Sequence, residues 1–467
     1  MTWNPGHGEL ETKYKQAEMD HEEILEKKNE VIASLKSELE HANDLLKAAN
    51  AQNLDMALSD LAPSAATASK LLKSGMSLTQ IYSQLVKVTE ELARDKEKNV
   101  REDARLNFTG LSVKYGHPAE QYQVTTEDGY VLTVYHIPGD GCPVLLVHGV
   151  IDSSDTFIIK GNDSMAITLA NSGYDVWLAN MRGNKHSRRH ISLNPNTDKE
   201  FWNFGVHELG YYDLPATIDF VLEKTGRKQL MAIGHSQGTT VFYVMGSTRP
   251  EYNEKIKLLI AMAPICFLNH IRPPVNAVAE LGPQINDILL LAGIEELLND
   301  HAAIKTLLKL ICPIIPINRE ICAAGFQLVA GWDPKEFSSD FIDVIITHYP
   351  TSVSRKNALH LSQIFIAKNF QQFDYGVEGN LKVYKSKTPP EYDLSNVTMH
   401  VELFTGRNDK LSTVEDVQIL REKLPNNNYR LIDNKKMNHL DFVWGRHMNE
   451  YLYPLVLEAL ETSNELE

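Results

Sequence analysis

Hydrophobic and polar positions are laid out in two different ways along this chain. Over residues 1–97 apolar residues stand singly among Glu, Lys and Ala. Leu25, Ile32, Leu39 and Leu46 recur at heptad spacing, with Leu35, Ala42 and Ala49 near the second apolar position and Lys28 breaking it once. About three to four heptads is the minimum that defines a coiled coil. The pattern predicts one amphipathic helix that either self-associates or meets a partner helix through residues 20–50, or lies as a lone solvated helix on its neighbour. A break at Asp60-Leu-Ala-Pro63-Ser64 precedes a second helical stretch near 66–98, with irregular apolar positions.

After the charge run from Arg94 to Asp103 the texture changes. Gly129-Tyr-Val-Leu-Thr-Val-Tyr135 reads as a half-buried strand. Pro143-Val-Leu-Leu-Val147 reads as a fully buried one, as does Tyr174-Asp-Val-Trp-Leu178. Gln229–Ile233, Lys257–Ala261 and His400–Phe404 follow, with helical patterns near 211–225 and 239–249. Buried strands alternating with helices imply a mostly parallel sheet covered on both faces, an α/β fold. From 267 to 390 the pattern turns mostly helical. The expected organisation is a helical extension over 1–97, a sheet domain in two parts over 98–266 and 391–467, and a helical insertion over 267–390 between them.

Composition narrows the function. Lys and Arg number 46 against 61 Asp and Glu, a net charge of −15. That balance argues against nucleic-acid binding, where phosphate repulsion would dominate. Four cysteines exclude a disulfide-dense scaffold. No apolar run reaches about 18 residues, so no transmembrane helix is expected. The opening residues MTWNPGHGELETKYKQ carry neither the basic region nor the apolar core of a secretory leader.

Gly234-His-Ser-Gln-Gly238 supplies the candidate chemistry. It follows an apolar strand and precedes a plausible helix, the setting of a nucleophile elbow. Its glycines permit a tight turn and close backbone crossing, and the turn lifts the Ser236 hydroxyl above the sheet. A serine nucleophile needs a base, and the base needs an orienting carboxylate, in the chain order Ser, Asp, His on this architecture. Asp409 lies in Thr405-Gly-Arg-Asn-Asp409-Lys just past a predicted strand, and His439 lies in Met437-Asn-His439-Leu-Asp441 after another. Asp441 is the rival orienter, awkwardly close in sequence to His439. The oxyanion needs backbone N–H donors. Gln237, after the serine, is one, and Val150, in the turn Val147-His-Gly-Val150, is the other. His148 suits a structural hydrogen bond in that turn better than proton transfer.

Further motifs extend these: Thr126-Glu-Asp-Gly-Tyr-Val-Leu132, Gly173-Tyr-Asp-Val-Trp-Leu-Ala-Asn180, Arg182-Gly-Asn184, Tyr212–Phe220 and Asn438-His-Leu-Asp-Phe442. Across about 103–455, roughly three quarters of the chain, the sequence resembles the acid lipase family of animal gastric and lysosomal lipases. The resemblance implies an α/β-hydrolase fold and makes Ser236, Asp409 and His439 the triad. It makes 267–390 a cap with a mobile lid over an acyl pocket. The apolar clusters Ile285–Ala292 and Leu307–Ile315 then either line that pocket or form ordinary cap core. It implies a disulfide between Cys312 and Cys322, in a loop one residue longer than usual, with Cys142 and Cys266 as buried free thiols. It also implies a secreted or lysosomal setting. The sequons at Asn107, Asn162 and Asn396 all fall in the lipase-like part, which points to glycosylation and the secretory pathway.

His186 and His190 have helical metal-ligand spacing, but Arg188 and Arg189 surround them. A surface basic cluster is expected there, and no metal or cofactor is required by the chemistry. The expected activity is hydrolysis of triacylglycerols or steryl esters at a lipid–water interface. The rival readings are a small-ester hydrolase, and a catalytically weak lipid carrier or partner-docking protein on the same fold.

Overall fold

The computed structural model describes residues 102–299, Cys312 and 316–465. The chain divides between Glu97 and Lys98 into two units, and the description below concerns the second. The heptad segment, the helical stretch near 66–98 and the cluster Leu307–Ile315 apart from Cys312 lie outside the described residues.

Eight strands form one sheet: β1 (Glu120–Thr125), β2 (Val131–Ile137), β3 (Pro143–Val147), β4 (Asp175–Ala179), β5 (Leu230–His235), β6 (Ile256–Met262), β9 (Val401–Thr405) and β10 (Asn427–Leu431). Their spatial order is β1-β2-β4-β3-β5-β6-β9-β10. β2 pairs antiparallel with both β1 and β4, and the remaining pairs run parallel. The inner strands are near-continuous apolar runs for a geometric reason. Val144 and Leu146 of β3 enter one core with Val176, Leu178, Met231 and Ile233. Leu145 and Val147 enter the other with Trp177, Ala179 and Ala232. Successive side chains point to opposite faces, and helices cover both.

Those helices include α1 (Phe108–Lys114), α2 (Met165–Asn171), α3 (Leu214–Thr225) and α4 (Gln237–Thr248). Asn107 starts α1 by accepting the Gly110 N–H at 2.9 Å, a side-chain cap for an otherwise unpaired helix donor. The insertion carries α5 (Val275–Glu280), α6 (Gly282–Leu291), α7 (Pro316–Ala330), α8 (Ile342–His348), α9 (Arg355–Ala367) and α10 (Gly376–Val383). α11 (Val414–Lys423), α12 (Asp441–Trp444) and α13 (Tyr453–Glu465) complete the fold.

Several expectations need correction. β1 was not anticipated, because Glu-Gln-Tyr-Gln-Val-Thr is polar and its residues are mostly exposed at the sheet edge. β2 is buried at most positions rather than half-buried, since it lies between β1 and β4 with cores on both faces. The insertion is not helical throughout: β7 (Glu296–Leu297) pairs antiparallel with β8 (Val353–Ser354). The cluster Ile285–Ala292 is not cap core, for no residue of α6 is buried and Leu291 is 89 % exposed. Cys142 is half-buried, hydrogen-bonding Asn464, and only Cys266 is a buried free thiol.

Candidate active site

The parallel strands deliver their loops to one edge of the sheet, and three of those loops meet. β5 ends at His235, and Ser236 follows with φ 53° and ψ −124°. Such backbone costs a non-glycine residue of order 1–3 kcal/mol and persists only where its surroundings enforce it. Here they do. A Cβ on Gly238 would sit 2.2 Å from the Val147 carbonyl oxygen, and one on Gly234 2.9 Å from that of Gly238. The turn therefore packs at backbone contact, with the Ser236 N–H donating to the Met262 carbonyl at 3.1 Å. α4 begins directly after, so the Gln237 N–H belongs to the unpaired first turn of a helix.

The Ser236 hydroxyl lies 2.8 Å from His439 Nε2. His439 Nδ1 lies 2.9 and 3.1 Å from the two carboxylate oxygens of Asp409. All three residues are buried. Asp409 is fixed in turn, since its Oδ1 accepts the N–H groups of Leu411 and Ser412, both at 2.8 Å. This is a continuous Ser–His–Asp relay assembled from the ends of β5, β9 and β10.

Asp441 does not join it. Its Oδ2 accepts the Asn438 N–H at 2.9 Å. Burial pushes its carboxyl well above the ordinary value. His148 is likewise structural in its contacts: Nδ1 donates to the Gly149 carbonyl at 2.8 Å, and Nε2 accepts the Met181 N–H at 3.1 Å. Burial lowers its pKa to about 4. Its ring shapes the turn holding Val150. That turn abuts the serine, for a Cβ on Gly149 would come 3.2 Å from Ser236 Cβ.

Some contributors carried no sequence signal. His235 Nε2 donates to the His439 carbonyl at 3.0 Å, and burial lowers the His235 pKa to about 3, so it holds the His439 loop without adding charge. Asn357 of α9 donates to the Gln237 side-chain carbonyl at 3.0 Å. The carbonyls at the end of α7 and just past it hold the Asp409 and His439 loops. Ala330 accepts from the N–H groups of Lys410 and His439, each at 3.3 Å. Gly331 accepts from Asn438 Nδ2 at 3.0 Å, and Trp332 from Asn408 Nδ2 at 3.1 Å. Backbone acceptors leave no mark in a residue pattern. The one visible trace is Gly331, with φ 126° and a would-be Cβ 2.1 Å from the Asn408 carbonyl oxygen.

The expected basic cluster at 186–190 is instead mostly a paired network. His186 contacts Asp155 at 2.8 Å, His348 contacts the same carboxylate at 2.7 Å, and Lys185 does so at 2.6 Å. Burial alone would raise the Asp155 carboxyl, but Lys185 and the hydrogen bonds from the His186 and His348 rings outweigh it and hold it well below its ordinary value. Arg188 pairs with Glu296, and His190 bonds the Asp128 carbonyl. Among the described residues no group of three or more side chains is placed to ligate a metal. Cys312 and Cys322 are joined by a disulfide. Asn107, Asn162 and Asn396 are all exposed.

Residues 108–161 match the model of a partial α/β-hydrolase lipase region, and residues 143–287 match that of the α/β hydrolase fold. The chain is 37 % identical to Lipase 1 of Drosophila melanogaster over 80 % of its own length and 84 % of the relative. It is 34 % identical to Lipase member K of Homo sapiens, over 78 % and 93 % of the two chains. It is also 34 % identical to the gastric triacylglycerol lipase of Homo sapiens, over 75 % and 90 %. The crystal structure of a lipase candidate from Sulfolobus solfataricus superimposes with a TM-score of 0.52 at 14 % identity, over 74 % of this chain and 94 % of that one, a likeness of fold.

Proposed function

The chain belongs to the acid lipase family of α/β-hydrolases, and from that premise we propose that it hydrolyses lipid carboxylic esters, acylglycerols or steryl esters, through Ser236, His439 and Asp409. That it is a lipase-type carboxylic ester hydrolase follows from the family. The finer reading rests chiefly on the 2.8 Å contact between the Ser236 hydroxyl and His439 Nε2, with Asp409 behind the ring.

In this reading His439 Nε2 removes the Ser236 proton as Oγ attacks the ester carbonyl. Asp409 stabilises the imidazolium and fixes its tautomer. The tetrahedral oxyanion is held by the N–H groups of Val150 and Gln237. Collapse expels the alcohol, which takes its proton from His439, and leaves an acyl-serine. Water then attacks the acyl carbon, gives its proton to His439, and releases the fatty acid as the proton returns to Ser236. No step calls for a metal or cofactor.

The exposed sequons at Asn107, Asn162 and Asn396 and the Cys312–Cys322 bridge support passage through the secretory pathway, where disulfides form. A mass decrease on enzymatic removal of N-glycans tests that part. The activity is tested on emulsified triacylglycerol, emulsified cholesteryl ester and a short soluble ester at acidic and neutral pH, with Ser236→Ala beside the native chain. Turnover of at least one emulsified lipid, lost in the variant, is the expected result. Equal rates for the two proteins on all three substrates would remove the reading. Turnover of the soluble ester alone would shift it to a small-ester hydrolase.

A further inference from the structure

On this chain of net charge −15, five exposed cations lie on segments that hydrogen bonds join to that of one exposed tryptophan, beside the loops of Asp409 and His439. The residues are Lys335, Arg407, Lys435, Lys436 and Arg446, and the ring is Trp332, 53 % exposed. Hydrogen bonds bring their chain segments together. Asn408 Nδ2 donates to the carbonyls of both Trp332, at 3.1 Å, and Lys436, at 2.9 Å. The Arg446 N–H donates to the Glu336 carbonyl at 3.0 Å, beside Lys335. Arg407 precedes Asn408, and Lys435 precedes Lys436.

Several cations among the described residues are matched. Arg182, Arg188, Arg319, Arg355 and Arg430 each pair with a carboxylate. The five around Trp332 form no ion pair with a described residue. Of the acids in the same segments, Glu336 is buried and taken by the His447 ring at 3.0 Å and by Tyr451 at 3.1 Å. Asp333 is buried, and burial with the neighbouring Glu336 pushes its carboxyl up against the opposing charge of Lys436. Asp433 and Glu450 are exposed. Apolar surface continues from the tryptophan along α7, where Leu328, Val329 and Ile321 are 56, 40 and 64 % exposed.

We propose that this face, Trp332 ringed by Lys335, Arg407, Lys435, Lys436 and Arg446, docks the enzyme on an anionic phospholipid surface. An indole prefers the boundary between hydrocarbon and headgroup, where its apolar body and N–H are both satisfied. Lysines and arginines beside it gain from a negative leaflet. The charge pattern selects anionic headgroups over neutral ones, since a wholly apolar face would bind both alike. The orientation serves the site. The carbonyls of Ala330, Gly331 and Trp332 hold the loops of Asp409 and His439, so a surface touching Trp332 lies beside the entrance to the relay. The use of this face in lipolysis rests on the lipase reading. The binding itself does not.

Co-sedimentation of the full chain with phosphatidylcholine vesicles, plain or containing phosphatidylglycerol, tests the proposal. Partitioning onto the anionic vesicles should exceed that onto plain ones by at least about tenfold at low salt and fall as salt rises. Lys435→Gln with Lys436→Gln should lose about tenfold on anionic vesicles and little on plain ones. Hydrolysis of a short soluble ester should be unchanged by that pair. Trp332→Ala should weaken binding to both vesicle types severalfold. Equal partitioning onto the two vesicle types, or anionic binding indifferent to the lysine pair, overturns the proposal. Anionic binding without hydrolysis of any ester would leave the docking face standing and remove the lipase reading.

Discussion

The elbow around Ser236 and the cap segment around Gly331 hold the same relay by opposite means. At the elbow, sterics do the work: Gly238 packs against the Val147 carbonyl and Ser236 is driven to positive φ. At the cap segment, three successive carbonyls accept hydrogen bonds from residues at or beside Asp409 and His439. The elbow is written in side chains, or in their enforced absence. The cap contact is written in backbone, and only Gly331 betrays it. Ser236 is therefore held by the sheet, while Asp409 and His439 are held by an insertion that leaves apolar side chains exposed.

The largest test of this contrast is Ser236→Ala, which should cut kcat by about 10⁶-fold with fold and stability retained. Asp409→Asn should follow, at roughly 10⁴-fold, because the neutral amide leaves the imidazole in the wrong tautomer. Asp441→Asn sharpens that comparison. Its carboxylate accepts the Asn438 N–H while the His439 ring faces Asp409, so an amide of similar shape should leave kcat within about threefold. Steady-state kinetics on a soluble ester would separate the two aspartates, and a large loss in Asp441→Asn would reopen the choice of orienter.

Gly331→Ala should lower kcat about tenfold with a small change in KM, since the strain of order 1–3 kcal/mol falls on the loops of Asp409 and His439. An unchanged kcat would mean that the cap does not position the pair. Replacing Cys312 and Cys322 by serine should cost about 3 kcal/mol in thermal denaturation, the chain-entropy value for so short a loop. The smallest expected effect is on pH. Burial raises the Asp152 carboxyl to about 7. A raised folded-state pKa stabilises the fold below the unfolded value near 4, and the gain is lost as pH climbs through about 7. Asp152→Asn should therefore flatten the melting temperature between pH 5 and pH 8.

Much of this was legible in the residues. The buried strands β3, β4, β5, β6 and β9 are near-continuous apolar runs because both faces are covered. Ser236 and Asp409 stood out because each follows such a strand, and His439 because it follows the more polar β10 in the expected chain order; the structure places them within hydrogen-bond distance of one another. β1 was hidden, since an exposed edge strand of Glu, Gln and Tyr has the composition of a loop. The pairing of His186 and His348 through Asp155 was hidden because its members come from segments more than 150 residues apart. His235 and Asn357 were hidden because their partners are a backbone carbonyl and a side-chain amide.

The central claim is that Ser236 is the nucleophile and that Asp409, not Asp441, orients its base. Labelling with an alkyl phosphonate that forms a covalent serine adduct, read by peptide mass spectrometry over time, tests both halves at once. A single adduct on the peptide containing Ser236, forming orders of magnitude more slowly in Asp409→Asn and His439→Ala and at the native rate in Asp441→Asn, is the predicted result. Modification of a different serine, or a rate that depends on Asp441 and not on Asp409, would contradict it.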